Sequence, residues 1–362
     1  MRIIKCALAG CGDIARGRYF YSFEKMKDRT ELIGVYDTDR ERLHKTAEEL
    51  RVKEYTSWEE LLQDEEAEAV IVTSYHTAHA RLVTEALNAG KHVLCEKPVA
   101  TNLKDALMIK EASEKTSKIF MALPNDAYTH IREVKKMIGQ GLIGNVCAVD
   151  GVFAHQGPLH APWFFDKSKA EWGVLADLGI YPISMLTYLF GPVDEVYGKT
   201  NIMQRERTSL KGETFSPTVE DNAVAVMNWK DGKVATIRAN WCTAADKDLC
   251  VWDFRIYGDK GIIYINMNDA QHRVIVYSPY QKVNDSKITY AGFRDCYKIQ
   301  VDMSDLNIDI LEEFAEAVDK NQKFPEDGCS ITRQIHVVEI IEGVYASSEK
   351  GNAVKIHSTF RH

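Results

Sequence analysis

Two short segments hold the residues whose types and spacing could do chemistry. Ala9-Gly10-Cys11-Gly12-Asp13-Ile14-Ala15 directly follows the apolar run 3–9, and Cys95-Glu96-Lys97-Pro98 closes another at 92–95. A Gly-x-Gly-x-x-Ala between strand and helix makes a tight turn whose free N–H groups face a pyrophosphate. Gly10 gives the turn its unusual dihedrals, Gly12 lets phosphate oxygens approach a backbone without a Cβ, and Ala15 allows close packing of helix on strand. Asp37 ends the run 32–36, about where an acid holds the ribose hydroxyls of an adenosine. Taken singly it could as well be a turn residue or helix N-cap, since Asp37-Thr38-Asp39 precedes a charged helical stretch. Strand, glycine turn and helix in register favour the nucleotide, with a lysine placed beside it.

Elements able to position these groups follow in order. Strand-like runs at 3–9, 32–36, 69–73, 92–95 and 118–122 alternate with helical patterns near 14–26, 39–50, 58–63, 77–89 and 102–116, the last announced by Thr101-Asn102. This predicts a doubly wound parallel sheet, an α/β Rossmann domain over 1–122, with ligand at the carboxyl ends of the strands, where Gly10, Asp37, Ser74 and Glu96 fall. From 123 to 362 a helix near 129–140, stopped by Gly141, gives way to strand runs at 145–155, 194–203, 221–229, 233–241, 251–257, 261–266 and 272–277. Helical patterns return at 174–190, 304–320 and 331–349, so the second domain reads as α+β with a largely antiparallel open sheet, closely joined to the first across a cleft.

Composition bounds the partners. At 362 residues and 45% apolar content the chain can bury two cores, and 45 Lys plus Arg against 53 Asp plus Glu leave a charge of −8 with no basic stripe for nucleic acid. No signal-peptide pattern precedes the first strand and no apolar run approaches the roughly 18 residues of a membrane span, so a cytoplasmic location is expected. Eight cysteines at 6, 11, 95, 147, 242, 250, 296 and 329 show no metal-ligand spacing and read as reduced packing residues.

These segments resemble the Gfo/Idh/MocA family of nicotinamide-dependent oxidoreductases over essentially the whole chain. The carriers are Gly10 to Ala15, Ser74-Tyr75-His76-Thr77-Ala78-His79, Ala89-Gly90-Lys91-His92-Val93-Leu94-Cys95-Glu96-Lys97-Pro98, Gly141 to Val146 and Gly173 to Tyr181. The resemblance implies NAD as cofactor, with NADP an alternative, and a sugar, polyol or related diol as substrate. It makes Lys97 the catalytic lysine, with Asp177 and Tyr181, four apart on one helical face, completing the site from the second domain. A hydroxyl must lose its proton as the carbonyl forms, and a lysine serves as that base when burial or neighbouring positive charge lowers its pKa. Pro98 biases Lys97 away from helical dihedrals, toward the cleft.

On the cofactor side the resemblance adds Asp13, Ile14, Tyr75, His76, His79, Lys97 and Asn125 to Gly10, Gly12, Asp37, Ser74 and Glu96, while Arg40 or Arg42 could reach a 2′-phosphate. Asp37 should nevertheless favour NAD. His155, His160 and Trp163, in a loop rich in aromatics and imidazoles, suit a saccharide or ring diol, whose C–H faces pack on rings while its hydroxyls bond nitrogens; a metal there lacks a third ligand. The chain departs from many relatives in Glu171-Trp172-Gly173, in Tyr75, in Pro124-Asn125-Asp126, and in Ser184 where a second acid is common, which weighs against a cyclitol. Two rival functions remain: a non-catalytic dinucleotide or sugar sensor, and redox-assisted glycoside modification with tightly held NAD. An exposed apolar sheet face, as in Val224 to Trp229 and Val251 to Tyr257, predicts a homodimer or homotetramer.

Overall fold

The computed structural model describes residues 2–124, 129–243, 251–269, 274–279, 287–288, 296–301 and 309–362. In the first domain six parallel strands, β1 (Ile4–Ala9), β2 (Thr30–Tyr36), β3 (Lys53–Glu54), β4 (Ala69–Val72), β5 (His92–Cys95) and β6 (Phe120–Ala122), lie in the order β3-β2-β1-β4-β5-β6. Alternation explains the burial on both faces. Ala7, Ala9, Val70, Val72 and Val93 pack on one side with Leu82, Val83 and Ile109, while Cys6, Leu8, Ala69, Ile71 and Leu94 pack on the other with Tyr19, Phe23 and Leu43. The sheet order reverses beside β1, so the β1 and β4 ends open a crevice.

In the second domain ten strands form one mixed sheet. Its central strands are β7 (Val146–Ala154), β8 (Glu195–Asn201), β11 (Asn222–Asn228), β12 (Val234–Asn240), β13 (Val251–Gly258), β14 (Gly261–Asn266) and β15 (Val274–Ser278), with β16 (Lys287–Ile288), β17 (Cys296–Val301) and β18 (Val354–Lys355) at its margins. A separate two-strand ribbon joins β9 (Arg207–Thr208) to β10 (Thr214–Phe215). Every pairing in the large sheet is antiparallel except β7 with β12. Its inner face, with Val149, Phe153, Ala225, Met227, Ile237, Phe254 and Ile256, is buried in the same apolar cluster as the helices Ile180–Phe190 and Ile331–Lys350.

Strands of two residues, such as β3, β9, β10, β16 and β18, carry no period to detect, and they were not anticipated. The helix Ile310–Asp319 returns to the first domain, where Leu311, Phe314 and Val318 share a buried cluster with Tyr19 and Phe23. Lys167–Phe190 is, against expectation, long and apolar enough to cross a membrane; its apolar window is largely buried within the fold, so its composition is that of a core helix. The open sheet face carries the expected tyrosines but not the expected tryptophans. Trp229 is buried and donates from its indole Nε1 to Gly191 O, and Trp252 turns inward to stack on Phe153, because both fall on the inner parity of their strands. What faces out includes Tyr197, Val224, Val234, Val251, Tyr257 and Tyr264, interspersed with Asp150, Arg238 and Arg255.

Candidate active site

The crevice at the strand ends and the inner edge of the second domain enclose a cavity of about 790 Å³, of the size that takes a ligand. Gly10, Gly12, Asp13, Ile14, Asp37, Ser74, Tyr75, His76, His79, Glu96 and Lys97 line it from the first domain, and His155, His160, Trp163, Asp177 and Tyr181 from the second. Arg40 does not line it. It stands exposed on the first turn of the helix Arg40–Leu50, whereas Arg42 reaches the cavity. Asn125 lies outside the described residues.

Close backbone approach builds the glycine turn. Gly10 has φ +110°, and a Cβ there would stand 2.7 Å from the carbonyl carbon and oxygen of Thr73, so β1 and β4 can meet this tightly only at a glycine. A Cβ on Gly12 would meet nothing within 4 Å, and the residue faces the cavity. The helix that follows begins with a π-turn at Ala15–Tyr19 and continues as Phe20–Lys25. Its Arg18 Nη1 and Tyr19 hydroxyl both donate to Glu96 Oε1, at 2.8 and 2.9 Å, tying the helix to the loop that carries Lys97. The thiols of Cys11 and Cys95 are buried; burial pushes Cys11 up to about 12 and Cys95 well above the ordinary range, so both are packing groups.

Asp37 is more fully engaged than the sequence suggested. Its Oδ2 accepts from Cys11 N and Arg42 Nε, and its Oδ1 from Asp39 N and Arg42 Nη2, all at 2.8–2.9 Å. Burial pushes the carboxyl up, but Arg42 and the two backbone donors outweigh it and hold Asp37 below the usual range. The helix N-cap is Asp39, not Asp37. A carboxylate has about four lone-pair sites, so ribose hydroxyls reach Asp37 only by displacing a donor, and Arg42 is the movable one.

On the far wall of β4, His79 is buried with Nδ1 2.7 Å from Pro98 O and Nε2 3.0 Å from Ser74 O, pinning the Ser74 loop to the Lys97-Pro98 loop. Its neighbour His76 packs edge-on against Trp163 and Phe164, and its Nδ1 is buried in the cavity wall without a hydrogen-bond partner. Desolvation holds His76 well below its ordinary pKa, and so neutral. Tyr75 packs on Trp163 at 4.9 Å, so the two domains meet here through aromatic rings. Across the mouth, His160 Nε2 lies 3.7 Å from Asp13 Oδ2, placing His160 over the glycine turn, while His155 accepts from Gly157 N at Nδ1 and leaves Nε2 for a ligand.

Lys97 sits deepest. Its Nζ donates to Asp177 Oδ1 at 2.5 Å and to Asp177 O at 3.0 Å, the two side chains being 12% and 10% exposed, and it lies 5.2 Å from the centre of the Tyr181 ring. Burial alone would lower the ammonium's pKa, but the Asp177 carboxylate reverses this and holds it above the ordinary lysine value. The carboxylate thus opposes the lowering that burial alone would bring. Asp177 falls in a second π-turn, Leu175–Gly179, running into the helix of Tyr181. The Tyr181 ring packs against Phe153 and Trp252.

Several contributors left no mark in the sequence. Glu220 accepts from Gly173 N and Leu175 N at the start of the Asp177 helix, and adjacent Asp221 forms a buried 2.9 Å pair with Arg207, whose Nη1 donates to Gln156 O in the histidine loop. Acids before a strand read as turn residues. Ser184 is wholly buried, accepts from Arg333 Nη1 and does not line the cavity.

The residues present suit a dinucleotide: an open cradle at Gly12, a rigid turn at Gly10 and an unpartnered polar atom at His76. Comparison with known proteins agrees. Residues 4–123 match the family model described as oxidoreductase family, NAD-binding Rossmann fold, and residues 131–264 match the GFO/IDH/MocA C-terminal domain. The chain is 26% identical over 279 residues to myo-inositol 2-dehydrogenase of Thermotoga maritima, covering 75% of this chain and 79% of the relative. It is 26% identical over 311 residues to glucose-6-phosphate 3-dehydrogenase of Bacillus subtilis, covering 82% and 86%. A solved levoglucosan dehydrogenase in complex with NADH shares the fold, with TM-score 0.80, 19% identity and coverage of 99% of this chain and all of that one.

The two glycines separate fold from binding. Gly12→Val should leave the melting temperature close to that of the wild type and weaken NAD binding at least about tenfold, since its side chain enters only the cradle. Gly10→Ala should itself lower the melting temperature, because strain and a backbone clash arise without ligand. Calorimetry with fluorescence titration of NAD checks both.

Proposed function

The chain belongs to the Gfo/Idh/MocA family of NAD-binding oxidoreductases, and on that premise we propose that Lys97 is the proton-transfer residue for hydride exchange with a hydroxyl-bearing carbon of a sugar, polyol or related diol. The observation that carries this reading is the 2.5 Å Lys97–Asp177 contact, made between domains inside the cavity lined by the glycine turn. The relatives named for a cyclitol and a sugar phosphate support the substrate class. When bound, the nicotinamide ring supplies or accepts the hydride.

In this reading Gly10, Gly12, Asp13 and Ile14 hold the pyrophosphate, Asp37 with Arg42 faces the ribose, and Ser74, Tyr75, His76, His79 and Glu96 shape the wall leading to Lys97. In reduction the Lys97 ammonium donates its proton to the substrate carbonyl oxygen; in oxidation the amine takes the hydroxyl proton back. Asp177 holds the lysine charged between turnovers. Tyr181 presents its ring to Lys97 and its hydroxyl to the substrate oxygen, and His155, His160 and Trp163 contact the rest of the sugar. A sensor would have no need of a buried lysine–carboxylate pair.

Lys97→Met removes the titratable amine but keeps bulk, so NAD affinity should survive while kcat falls by roughly 10²–10⁴. Because Asp177 raises Lys97, reduction by the wild type should hold steady through neutral pH and decline only as the pH climbs through the lysine's raised value. Asp177→Asn removes the largest opposition to burial, so that decline should move to lower pH. Near-normal turnover by Lys97→Met with saturating NAD would falsify the assignment.

Cofactor choice turns on the Asp37–Arg42 pair, and we expect NAD to bind more tightly than NADP. Asp37→Ala should narrow the preference, whereas Arg42→Ala, which frees two acceptor sites and an uncompensated negative charge, should widen it several-fold. Direct titration of both dinucleotides measures this, and tighter NADP binding by the wild type contradicts it.

The open sheet face, with Tyr197, Val224, Val234 and Val251 among charges of both signs, favours a second copy of this chain as its cover, giving a homodimer or a tetramer of dimers in the cytoplasm. Light scattering at micromolar protein should give a multiple of 41.0 kDa; a monomeric mass counts against it.

A further inference from the structure

We propose that Glu220 is a positioning residue for the Lys97–Asp177 pair, acting through the start of the helix that carries Asp177 and Tyr181. The proposal rests on the proton-transfer reading of that pair. Three consecutive amides at the start of this helix end on one residue: Gly173 N donates to Glu220 Oε2 at 3.0 Å, Val174 N to Glu220 O at 3.1 Å, and Leu175 N to Glu220 Oε1 at 3.0 Å. The Tyr345 hydroxyl adds a 2.5 Å bond to Oε1, and its ring stacks on Trp172. The approach is so close that a Cβ on Gly173 would lie 2.0 Å from Glu220 O. Asp177 N in turn donates to Gly173 O, so the docked residues connect directly to the carboxylate that binds Lys97.

All three side-chain partners of Glu220 are donors, and a carboxylate accepts from all of them, whereas an amide would set its own N–H₂ against a backbone N–H. The negative charge also suits a helix N-terminus. Burial pushes the carboxyl above the ordinary glutamate value and its hydrogen bonds offset this only in part; what points to the carboxylate form is the geometry, since Gly173 N, Leu175 N and the Tyr345 hydroxyl all aim donors at its two oxygens. The helix start relaxes when that geometry is lost. A shift of a few tenths of an ångström at Gly173 reaches Asp177 within the same turn, and the Lys97–Asp177 contact at 2.5 Å has no slack to absorb it.

The titration of Lys97 reports the contact without any substrate. Glu96 and Tyr181 also face this lysine, as do the imidazoles of His76, His79 and His155, and none of them touches Glu220. Competitive acetylation by acetic anhydride between about pH 7 and about pH 11, read by mass spectrometry on the full chain, follows the free amine of Lys97. In Glu220→Gln the lysine should titrate at least about one pH unit lower, acetylating about tenfold faster near pH 9, with NAD affinity unchanged. Tyr345→Phe, which removes one donor and leaves the backbone docked, should shift it in the same direction by less and carries the test if Glu220→Gln does not fold. Asp177→Asn separates the premise from the proposal. If it moves the Lys97 titration while neither Glu220→Gln nor Tyr345→Phe does, the positioning role is wrong and the site reading stands; if Asp177→Asn leaves the titration where it was, the site reading fails and the proposal falls with it.

Discussion

A lysine and an aspartate from different domains share a proton-bearing contact 2.5 Å long, and the rest of the molecule is arranged so that they can. A buried ammonium alone would be costly, and the Asp177 carboxylate beside it holds Lys97 charged at about one-tenth exposure. Lys97 is brought to the cavity by the end of β5, fixed by Glu96 to the first helix and by His79 to the loop after β4. Asp177 is brought from the other side by a helix whose start is docked on Glu220. The pair therefore reports the relative placement of the two domains inside the cavity that both line.

Close backbone approach is the second constraint. Gly10 allows β1 to pass against Thr73, and Gly173 allows its helix to seat on Glu220; in both places a methyl group would collide with main-chain atoms. Both helices that enter the cavity also contain a π-turn beside it, at Ala15–Tyr19 and Leu175–Gly179, a feature frequent at functional sites. Tight glycine contacts set where the helices begin, and the π-turns set where Arg18, Tyr19 and Asp177 point.

Local signals in the sequence were strong where a period or a short motif sufficed. The alternation of apolar runs and amphipathic stretches gave the parallel sheet, and Gly10, Gly12, Lys97, Asp177 and Tyr181 all line one cavity. What stayed hidden depends on contacts between distant segments. That Asp37 is saturated by Arg42, that Arg40 points away, and that Lys97 is raised instead of lowered follow from partners five to eighty positions off. Trp229 and Trp252 lie on the inner side because each stands an odd number of residues from an outward valine, Val224 or Val251, and so on the opposite parity. Glu220 and Asp221 act through backbone amides far along the chain, and no residue pattern marks such a contact.

An oxidoreductase of this family should oxidise a carbinol at the expense of NAD in this cavity, as opposed to merely sensing the two ligands. Mixing the purified protein with NAD and a panel of aldoses, deoxysugars, cyclitols and aromatic trans-diols, and following absorbance of the reduced nicotinamide near 340 nm, tests it most directly. At least one panel member should give saturable NADH formation. Saturable binding of a panel member alongside NAD, seen by calorimetric titration, with no NADH formed by any of them would contradict it.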